Sequence, residues 1–519
     1  MKITGKIVDI TDEGKAVVKN DGKVIFTDEG LIDDIVELEI KKEKKSYLIG
    51  ETISILQKSK DRIEPLCPYY KECSGCRYQE LSYEKELEIK KRSVEEKIKR
   101  LAEIDLDIEI NGGKEEGYRN KISLKSDNNY NLGYYKRKTN DLVKIESCKI
   151  ANELINKTLK HILENKNSIE KDALLKELVI RKGLDDEIMI IIETNYAGRN
   201  SFYKLSEKLQ KYNYIKSIYI KYKNKKTMPR DYTFKKIFGE DKIKYKYGEY
   251  EFYFSPDSFL QVNDLVAPSL YKKAKELIDG KKPKVLIDLF SGIGTTTINF
   301  SKGLVKAVGI EINEYAVEDA IKNSKINNLD NVFFYKLDAN KEFDQIKRLK
   351  PDLITVDPPR FGLSKDLIEQ IVVSKIPSIL YISCNPSSLA RDLKIFKDSG
   401  YKIENIELYD MFPRTVHVET VALLSKLDVD KYINIEIEMD ELDLTSAESK
   451  ATYAQIKEYV WNKFELKVST LYIAQIKRKC GIELREHYNK SKKEKQIIPQ
   501  CTPEKEEAIM DALRHFKMI

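Results

Sequence analysis

One glycine-rich turn limits the fold of this chain more than any other feature of its sequence. The turn follows an apolar run and reads Asp288-Leu289-Phe290-Ser291-Gly292-Ile293-Gly294-Thr295. A strand that leads into such a turn and then into a helix lets a small ligand approach the backbone at the carboxyl end of a parallel sheet. Strand-like and helix-like segments also alternate over residues 246–427. The sequence therefore predicts a Rossmann-like domain with a ligand site at one edge of its sheet.

Acidic residues at the next two strand ends indicate the kind of ligand. The turn lacks the third glycine of a dinucleotide-binding motif, since three threonines follow Gly294. Glu311 ends a strand predicted over 306–310 and is suited to bind ribose hydroxyls. Asp338 follows a strand predicted over 332–337 and can accept a hydrogen bond from an adenine amino group. Adenosine-binding groups without a pyrophosphate loop are typical of a site for S-adenosylmethionine (SAM).

A cysteine at a later strand end indicates the chemistry. Cys384 follows an apolar run, downstream of the motif Asp357–Arg360. Amino-group methyltransferases have a similar motif with an aromatic fourth residue, so Arg360 argues against an exocyclic nitrogen as acceptor. A thiolate that adds to C6 of a pyrimidine makes C5 nucleophilic, which would give Cys384 a catalytic role. The C5 proton must then be removed, and His417 and Glu419 are candidate bases because residues two apart on a strand face the same side.

Four motifs of the chain together resemble the RNA (uracil-5-)-methyltransferase family. The resemblance covers roughly residues 1–427, and the motifs occur in the family's order. They are Ser255–Asn263, Asp357–Arg360, Ser383–Pro386 and Phe412–Glu419.

The resemblance implies a role for each residue that matches a motif. It implies that Cys384 is the nucleophile, that Glu419 is the base that removes the C5 proton, and that His417 has a positioning role. Asp357 would lie near both SAM and the flipped uracil. The residues that the resemblance places at the SAM site are Gln261, Phe290, Glu311, Asp338 and Asp357.

Four further cysteines indicate a metal centre. Cys67, Cys73 and Cys76 are close in sequence, and Cys148 lies downstream. Disulfides fit poorly with a chain of 34% charged residues that has no signal peptide. Four thiolates suit either structural zinc or an iron–sulfur cluster, and the cysteine pattern alone does not distinguish the two. The family resemblance implies a [4Fe–4S] cluster.

The sequence pattern predicts a multidomain α/β protein of four parts. Residues 1–57 alternate apolar and polar positions, which predicts a small antiparallel β-barrel that resembles the OB-like TRAM domain. Residues 58–245 would form a central α+β domain with the iron–sulfur cysteines, including helices over 83–102 and 150–164. Residues 246–427 would form the SAM-dependent methyltransferase domain. Residues 428–519 are a mostly helical extension of unknown role.

The C-terminal extension shows a strand-like run over 432–440 and helical patterns over 451–464 and 468–480, the second with a stop at Gly481. Residues 450–495 contain 12 basic and 5 acidic residues. This segment is either a nucleic-acid-binding module or a packing appendage.

The predicted function is SAM-dependent methylation of uridine C5 in structured RNA. The resemblance favours 23S rRNA over tRNA, because the barrel and the four cysteines occur together. The alternatives are a tRNA uridine-5 methyltransferase, an RNA cytosine-5 methyltransferase, and a non-catalytic RNA-binding assembly factor. A net charge of +7 does not by itself indicate RNA, but basic segments with tyrosines at 118–121 and 133–138 favour contact with it. Without a membrane-length apolar run, a cytoplasmic monomer is expected.

Overall fold

The computed structural model describes most of the chain, which divides into two units, Met1–Val429 and Asp430–Ile519. No helix in the described ranges is both long and apolar enough to cross a membrane. The described residues are 2–427 without 12, 21, 138, 172 and 224–231, and then 453–480, 482, 502–516 and 518–519.

The first five strands close into a barrel in the order β1-β2-β3-β5-β4, as the alternating sequence predicts. Alternate side chains such as Ile7, Val18 and Leu38 fill its interior. One pair differs from the antiparallel expectation, because β3 and β5 are parallel. The chain forms β4 between them, and β4 is antiparallel to both β1 and β5. The strands are β1 (Lys2–Ile10), β2 (Ala16–Asn20), β3 (Lys23–Thr27), β4 (Ile35–Glu43) and β5 (Tyr47–Gln57).

The next two elements are helix α1 (Tyr83–Ala102) and strand β6 (Glu109–Asn111). The bounds of α1 agree with the prediction, and Ser82 caps it by accepting a hydrogen bond from the Lys85 N–H. Both elements lie in segment 58–245, yet they join the C-terminal sheet of this unit rather than the central one. The sequence prediction that this segment forms one domain is therefore wrong for these two elements. An apolar helix face does not specify which sheet it covers, and a three-residue strand has no detectable pattern.

A central sheet of seven strands follows in the order β13-β12-β11-β10-β7-β8-β9. Buried residues of the sheet and of its helices share one core, including Leu159, Ile190 and Ile218. Three short 3₁₀ helices occupy Lys166–Ser168, Leu184–Asp186 and Ala197–Asn200. The elements are β7 (Lys121–Ser126), β8 (Leu132–Tyr135), β9 (Leu142–Lys144), α2 (Glu153–Glu164), β10 (Glu177–Lys182), β11 (Ile188–Glu193), α3 (Tyr203–Leu209), β12 (Ile215–Lys223) and β13 (Tyr232–Gly239).

A hairpin and a helix connect the central sheet to the last sheet of this unit. They are β14 (Ile243–Tyr247), β15 (Tyr250–Phe254) and α4 (Ala267–Lys281). The elements of the last sheet alternate as predicted. They are β16 (Val285–Leu289), α5 (Thr295–Phe300), β17 (Lys306–Glu311), α6 (Glu314–Ile326), β18 (Val332–Lys336), α7 (Phe343–Lys347), β19 (Leu353–Val356), α8 (Lys365–Val373), β20 (Ser378–Ser383), α9 (Pro386–Asp398), β21 (Tyr401–Tyr409) and β22 (Glu419–Lys426).

This last sheet has eight strands in the order β18-β17-β16-β19-β20-β22-β21-β6. Strands β16 to β20 are parallel, and β22 is antiparallel to its two neighbours. The strand order reverses between β16 and β19, so the carboxyl ends of these two strands flank a topological switch point, where ligands bind in such sheets.

Successive residues of each strand face opposite sides of this sheet. Leu286 and Leu380 pack on one side with α4, α5 and α6, whereas Ile287 and Tyr381 pack on the other with α1, α7, α8 and α9. Strand β6 pairs with β21, Ile110 lying opposite Leu408. Both faces of the sheet are therefore covered, as expected for parallel strands.

The described part of the C-terminal unit is helical. Two of its helices, α10 (Tyr453–Phe464) and α11 (Thr470–Lys479), match the predicted patterns. The third, α12 (Pro503–His515), was not predicted. Buried Ile456, Val460, Ile473, Ile509 and Leu513 form a core within this unit. The predicted strand over 432–440 and the stop at Gly481 lie outside the described residues.

Candidate active site and four-cysteine site

The carboxyl ends of the five parallel strands carry most of the residues that the sequence singled out. Each lies at the end of its strand or within two residues of it, so the sheet brings them to one edge. They are Phe290, Glu311, Asp338, Asp357 and Cys384, after β16, β17, β18, β19 and β20 respectively.

Glu419 reaches the same edge from the opposite direction. It begins β22, which is antiparallel to β20, and the next residue, Thr420, lies opposite Ser383. The start of β22 therefore lies beside the end of β20, where Cys384 follows. The structure thus places the predicted nucleophile and the predicted base on adjacent strands.

The glycine-rich turn is held by the acidic residue of the next strand. One carboxylate oxygen of Glu311 accepts a hydrogen bond from the Gly292 N–H at 3.1 Å. The other accepts from the N–H groups of Ile312 and Asn313, each at 2.8 Å. Gly294 has a φ of 86°, and a Cβ there would lie 2.5 Å from the Phe334 ring. Glycine is therefore required both by the backbone conformation and by the close approach of α6 and β18.

A buried acid on β16, which sequence reasoning did not single out, anchors the same turn. The Asp288 carboxylate accepts hydrogen bonds from the hydroxyls of Thr297 at 2.6 Å and Thr355 at 2.8 Å, and also from Thr296. Burial raises the pKa of Asp288, although these hydroxyls oppose the effect. Two of the three threonines after Gly294, Thr296 and Thr297, therefore bind a strand residue instead of a phosphate.

Asp357 and Glu419 form a buried acidic pair. Burial raises the pKa of both carboxyl groups. The Asp288 charge raises the pKa of Asp357 further, and the Asp357 charge raises that of Glu419 further. The Glu419 Oε2 atom is buried and has no hydrogen-bond partner among the described residues. A buried carboxyl group with a free oxygen is a candidate for proton transfer.

Cys384 lies close to this pair. Burial raises the pKa of its thiol to about 12, the Glu419 and Asp357 charges act in the same direction, and the Arg360 guanidinium opposes them. The free protein therefore holds a protonated thiol that must lose its proton before it attacks a carbon.

A cleft of about 520 Å³ lies between the barrel and the loop before Glu419. Arg360 and His417 line it, and the Arg360 guanidinium lies 3.4 Å from the His417 Nδ1 atom. The barrel contributes Gly14, and Arg119 and Arg137 supply further positive charge. Two acids, Glu13 and Asp28, also line the cleft, but arginines outnumber them. The cleft therefore has an excess of positive charge, which suits a polyanion.

The loop that leads to Glu419 is held by residues far away in sequence. Arg414 has a φ of 69° and is buried. Its guanidinium donates to the carbonyls of Tyr78 and Leu81, at 3.2 and 2.6 Å, and pairs with Glu115. In return the Arg414 carbonyl accepts from the N–H groups of Arg77 and Tyr78. Sequence reasoning missed this role, because no local pattern reveals partners more than three hundred residues apart.

Arg77 connects that loop to the barrel. Its buried guanidinium donates to the carbonyls of Gly14 at 2.7 Å and Gly30 at 2.5 Å. Its neighbour Cys76 belongs to the four-cysteine group. The segment from Cys76 to Tyr78 therefore contacts the barrel, the cysteine site and the loop before Glu419.

The four cysteines predicted as metal ligands line one small pocket, together with Tyr70 and Tyr134. Burial raises the pKa of Cys73 to about 11 and of Cys76 to about 12, and it raises that of Cys148. The nearby thiols add to each shift. Within the described ranges no set of three or more His, Cys, Asp or Glu side chains has the arrangement of a metal centre. The structure thus brings the four thiols into one pocket, although Cys148 is far from the other three cysteines in sequence.

Gln261 lies in the loop before α4 and is buried. Its backbone carbonyl accepts hydrogen bonds from the Asn120 amide at 3.0 Å and the Tyr247 hydroxyl at 3.3 Å. In the same loop the Asn263 amide donates to the Met411 carbonyl at 3.2 Å. This loop is therefore attached to the segment that leads to Glu419.

Comparison with known proteins agrees with the fold and with the family that the sequence resembles. The family model described as tRNA (uracil-5-)-methyltransferase matches residues 82–427. A protein of Clostridium acetobutylicum named as an uncharacterized RNA methyltransferase is 33% identical over 81% of this chain and 96% of its own length. One of Caldanaerobacter subterraneus subsp. tengcongensis with the same description is 34% identical over 81% of this chain and 98% of its own.

A solved structure is also similar. The Pyrococcus abyssi tRNA (uracil-54, C5)-methyltransferase in complex with S-adenosyl-L-homocysteine superposes with a TM-score of 0.62 at 26% identity, covering 81% of this chain and all of that one. Fold and site together define a SAM-dependent methyltransferase. The chain belongs to the RNA (uracil-5-)-methyltransferase family, and RNA is its substrate.

Proposed function

We propose that this enzyme methylates C5 of a uridine in 23S rRNA through a covalent adduct between Cys384 and C6 of the base. The observation that supports the proposal most directly is the meeting of Cys384, Asp357 and Glu419 at one edge of the sheet. A thiol beside two buried carboxyl groups provides a nucleophile and a base within one site.

The residues at the ends of β16, β17 and β18 are suited to hold SAM. Glu311 would accept from ribose hydroxyls and Asp338 from the adenine amino group. Each carboxylate has about four acceptor positions, so their backbone hydrogen bonds leave room for a ligand. Phe290, Gln261 and Asp357 complete the proposed set. When bound, SAM supplies an electrophilic methyl group on a positively charged sulfonium.

The chemical steps follow from the two reactive side chains. Cys384 loses its thiol proton, and its Sγ atom forms a bond to C6 of the uracil, which moves the C5–C6 electron pair to C5. C5 then takes the methyl group. Glu419 removes the C5 proton, the electrons of that C–H bond restore the C5–C6 double bond, and the bond to Cys384 breaks to release a thiolate. The net change exchanges one C5 hydrogen for a methyl group and releases one proton.

The uridine must leave its stack before C6 can be attacked. The cationic cleft beside Arg360 is suited to receive it, with Arg119 and Arg137 placed to bind flanking phosphates. The barrel borders this cleft through Gly14. A TRAM-like barrel beside a four-cysteine site supports rRNA rather than tRNA as the substrate.

The donor set of the four-cysteine pocket fits a [4Fe–4S] cluster, since such clusters take four thiolates in an enclosed site. Cys67, Cys73, Cys76 and Cys148 would hold it and it would stabilise this segment. We expect anaerobically purified protein to contain about four irons and four sulfides per chain. Cys148→Ala should lose them, whereas Cys480→Ala, outside the pocket, should keep them. Stoichiometric zinc without iron or sulfide would disprove the cluster.

The substrate is tested by mapping 5-methyluridine in rRNA and tRNA from a strain that lacks this gene. We expect one or more 5-methyluridines of 23S rRNA to disappear and to return with the wild-type gene but not with Cys384→Ala. Loss confined to tRNA would support the alternative suggested by the family description and by the Pyrococcus structure. Loss of 5-methylcytidine instead would contradict uridine as the target base, and restoration by Cys384→Ala would indicate a non-catalytic role.

A further inference from the structure

The C-terminal unit carries a surface that the methyl-transfer chemistry does not use. The family match ends at residue 427, and the core of this unit is formed by its own residues, such as Val460, Ile476 and Ala512. Helices α10 and α11 are joined by residues 465–469, and the Ser469 hydroxyl caps α11 by accepting from the Tyr472 N–H at 3.2 Å.

Charge is unevenly distributed within the unit. Residues 453–480 contain six Lys and Arg but two Glu, whereas α12 contains four acidic and two basic residues. Two acids of α12 pair with lysines of the other helices, Asp511 with Lys463 at 2.8 Å and Glu506 with Lys479. The other two basic residues of α10 and its connector, Lys457 and Lys467, take no part in these two pairs.

Lys457, Trp461, Lys467 and Thr470 form one continuous surface, which we call the Trp461 surface. Lys457 and Trp461 lie one turn apart on α10, so they share a face. The Lys457 ammonium donates to the Thr470 hydroxyl at 2.7 Å. The Lys467 ammonium lies 5.5 Å from the centre of the indole ring. One ammonium group therefore lies over the aromatic ring, and a second belongs to a residue one helical turn away on the same face.

Trp461 is exposed although the three described helices of the unit share a core. Its side chain is 48% exposed, while Ile456 and Val460 bury the opposite face of the same helix. A single exposed apolar side chain is ordinary on a protein surface. A large ring with one lysine over it and another on the same helix face is a more specific arrangement, because nucleic-acid bases stack on aromatic rings while ammonium groups bind the flanking phosphates.

We propose that the Trp461 surface binds single-stranded RNA, with an unpaired base stacked on Trp461 and neighbouring phosphates on Lys457 and Lys467. The charge of this face complements RNA, which is the substrate of the family. The proposal rests on RNA as the substrate and not on the Cys384 adduct or on the choice of 23S rRNA. The extension would then hold an unpaired segment of the substrate.

The chain contains one tryptophan, so its fluorescence reports this surface directly in the full-length protein. Excitation at the red edge of the absorption band avoids the tyrosines. Addition of a short single-stranded oligouridine should quench the emission, because a stacked base quenches an indole. Polyphosphate has no base, so it should bind by charge and leave the emission nearly unchanged. The Cys384→Ala variant should respond like the wild type, which separates this test from that of the adduct.

Charge variants test the two lysines. Lys457→Ala with Lys467→Ala should weaken the quenching response about tenfold and reduce the slope of log affinity against log salt by about 1.4. Lys505→Ala is the matched control, since Lys505 also lies over an aromatic ring, that of Tyr472, but belongs to the acidic helix. It should leave both quantities unchanged.

Three results would overturn the proposal. The first is an unchanged emission while fluorescence anisotropy shows that labelled oligouridine is bound. The second is equal quenching by polyphosphate, which would indicate a general anion site. The third is an equal effect of Lys505→Ala and of the double variant.

Discussion

The two residues proposed to react lie in surroundings that favour their protonated forms. Burial and like charges raise the pKa of the Cys384 thiol and of the Glu419 carboxyl group. In the proposed mechanism both groups must be deprotonated when they act, the first to attack C6 and the second to accept the C5 proton. The Asp357 charge contributes to both shifts, so Cys384 and Glu419 ionise at a higher pH than they would without it.

This electrostatic arrangement predicts a rate that rises with pH. Because both pKa values are raised, the fractions of thiolate and carboxylate decrease as the pH falls. This decrease begins at a pH well above the pKa of an ordinary carboxyl group. Turnover at saturating RNA and SAM should therefore increase from about pH 6 to about pH 9. RNA and SAM affinities measured at both ends of this range serve as the control. A flat or falling profile with unchanged affinities would contradict the assignment of Cys384 and Glu419.

At this scale the sequence supplied candidates for the reactive residues but did not predict the residues that support them. Cys384 and Glu419 occur in short motifs whose residue types suggest their chemistry. Arg414 and Asp288 act through carbonyl groups, hydroxyls and carboxylates supplied by other segments. Such partners depend on the tertiary structure, so their identity could not be read from neighbouring residues.

Single elements of the structure explain how the site is kept in place. The loop before Glu419 is fixed by the Arg414 guanidinium, which spans two carbonyl groups and Glu115. Arg414 also pairs with Glu86 of helix α1. On the same helix, the buried Lys90 ammonium donates to Asp410 at 2.7 Å. Helix α1 is therefore attached to this loop at two positions, Asp410 and Arg414.

Replacing Arg414 with methionine should loosen this loop. The change leaves Glu86 and Glu115 without the guanidinium, and breaking a buried ion pair in this way costs about 3–5 kcal/mol. We expect a clearly lower Tm by calorimetry and reduced methyl transfer at a temperature where the variant is folded. Lys394→Met is the control, because it removes an exposed pair with Glu103 and should leave both quantities nearly unchanged. Equal behaviour of the two variants would show that Arg414 does not hold the loop.

Gly294, in the turn proposed to bind SAM, and Gly303, after α5, differ in the space around them but not in backbone conformation. Gly294 and Gly303 have φ values of 86° and 84°, but only at Gly294 would a Cβ meet a neighbour, the Phe334 ring. Alanine at either position should cost about 1–2 kcal/mol for the left-handed backbone. Gly294→Ala should in addition move the turn and weaken SAM binding in a calorimetric titration. Equal SAM affinity in the two variants would exclude the turn from the SAM site.

Secondary structure was predictable where caps and periodicity agree. Helix α1 matches its prediction because Ser82 provides a side-chain cap. Helix α12 was missed although Pro503 stands at its first turn and Arg514 at its last, a pattern that marks helix ends. Strand β6 is too short to show any periodicity.

The whole molecule combines a barrel, a central sheet and a methyltransferase sheet in one unit with a helical unit after it. Sequence patterns predicted all four types of structure. They did not predict that α1 and β6 cross from the central segment into the last sheet, because pairing partners distant in sequence leave no signal in a single chain.

The division of the chain predicts the behaviour of a truncated enzyme. A protein that ends at Leu427 retains every proposed catalytic and SAM-binding residue and the two large cores around the last sheet. We expect it to fold and to turn over at saturating RNA at a rate close to that of the full-length protein. Its RNA affinity should be lower and its salt dependence shallower, because phosphate contacts are lost. A truncated enzyme that folds and binds RNA with unchanged affinity and salt slope would contradict a contribution of the extension.

The central claim is that Cys384 attacks the base and that Glu419 removes the C5 proton. The most direct measurement incubates Glu419→Gln with SAM and substrate RNA and separates the products on a denaturing gel. A neutral amide cannot accept the proton, so the thioether between Cys384 and C6 should persist as a protein–RNA band that survives denaturation. The same band should be absent with Cys384→Ala. Its formation by Cys384→Ala, or normal turnover by either variant, would contradict the account.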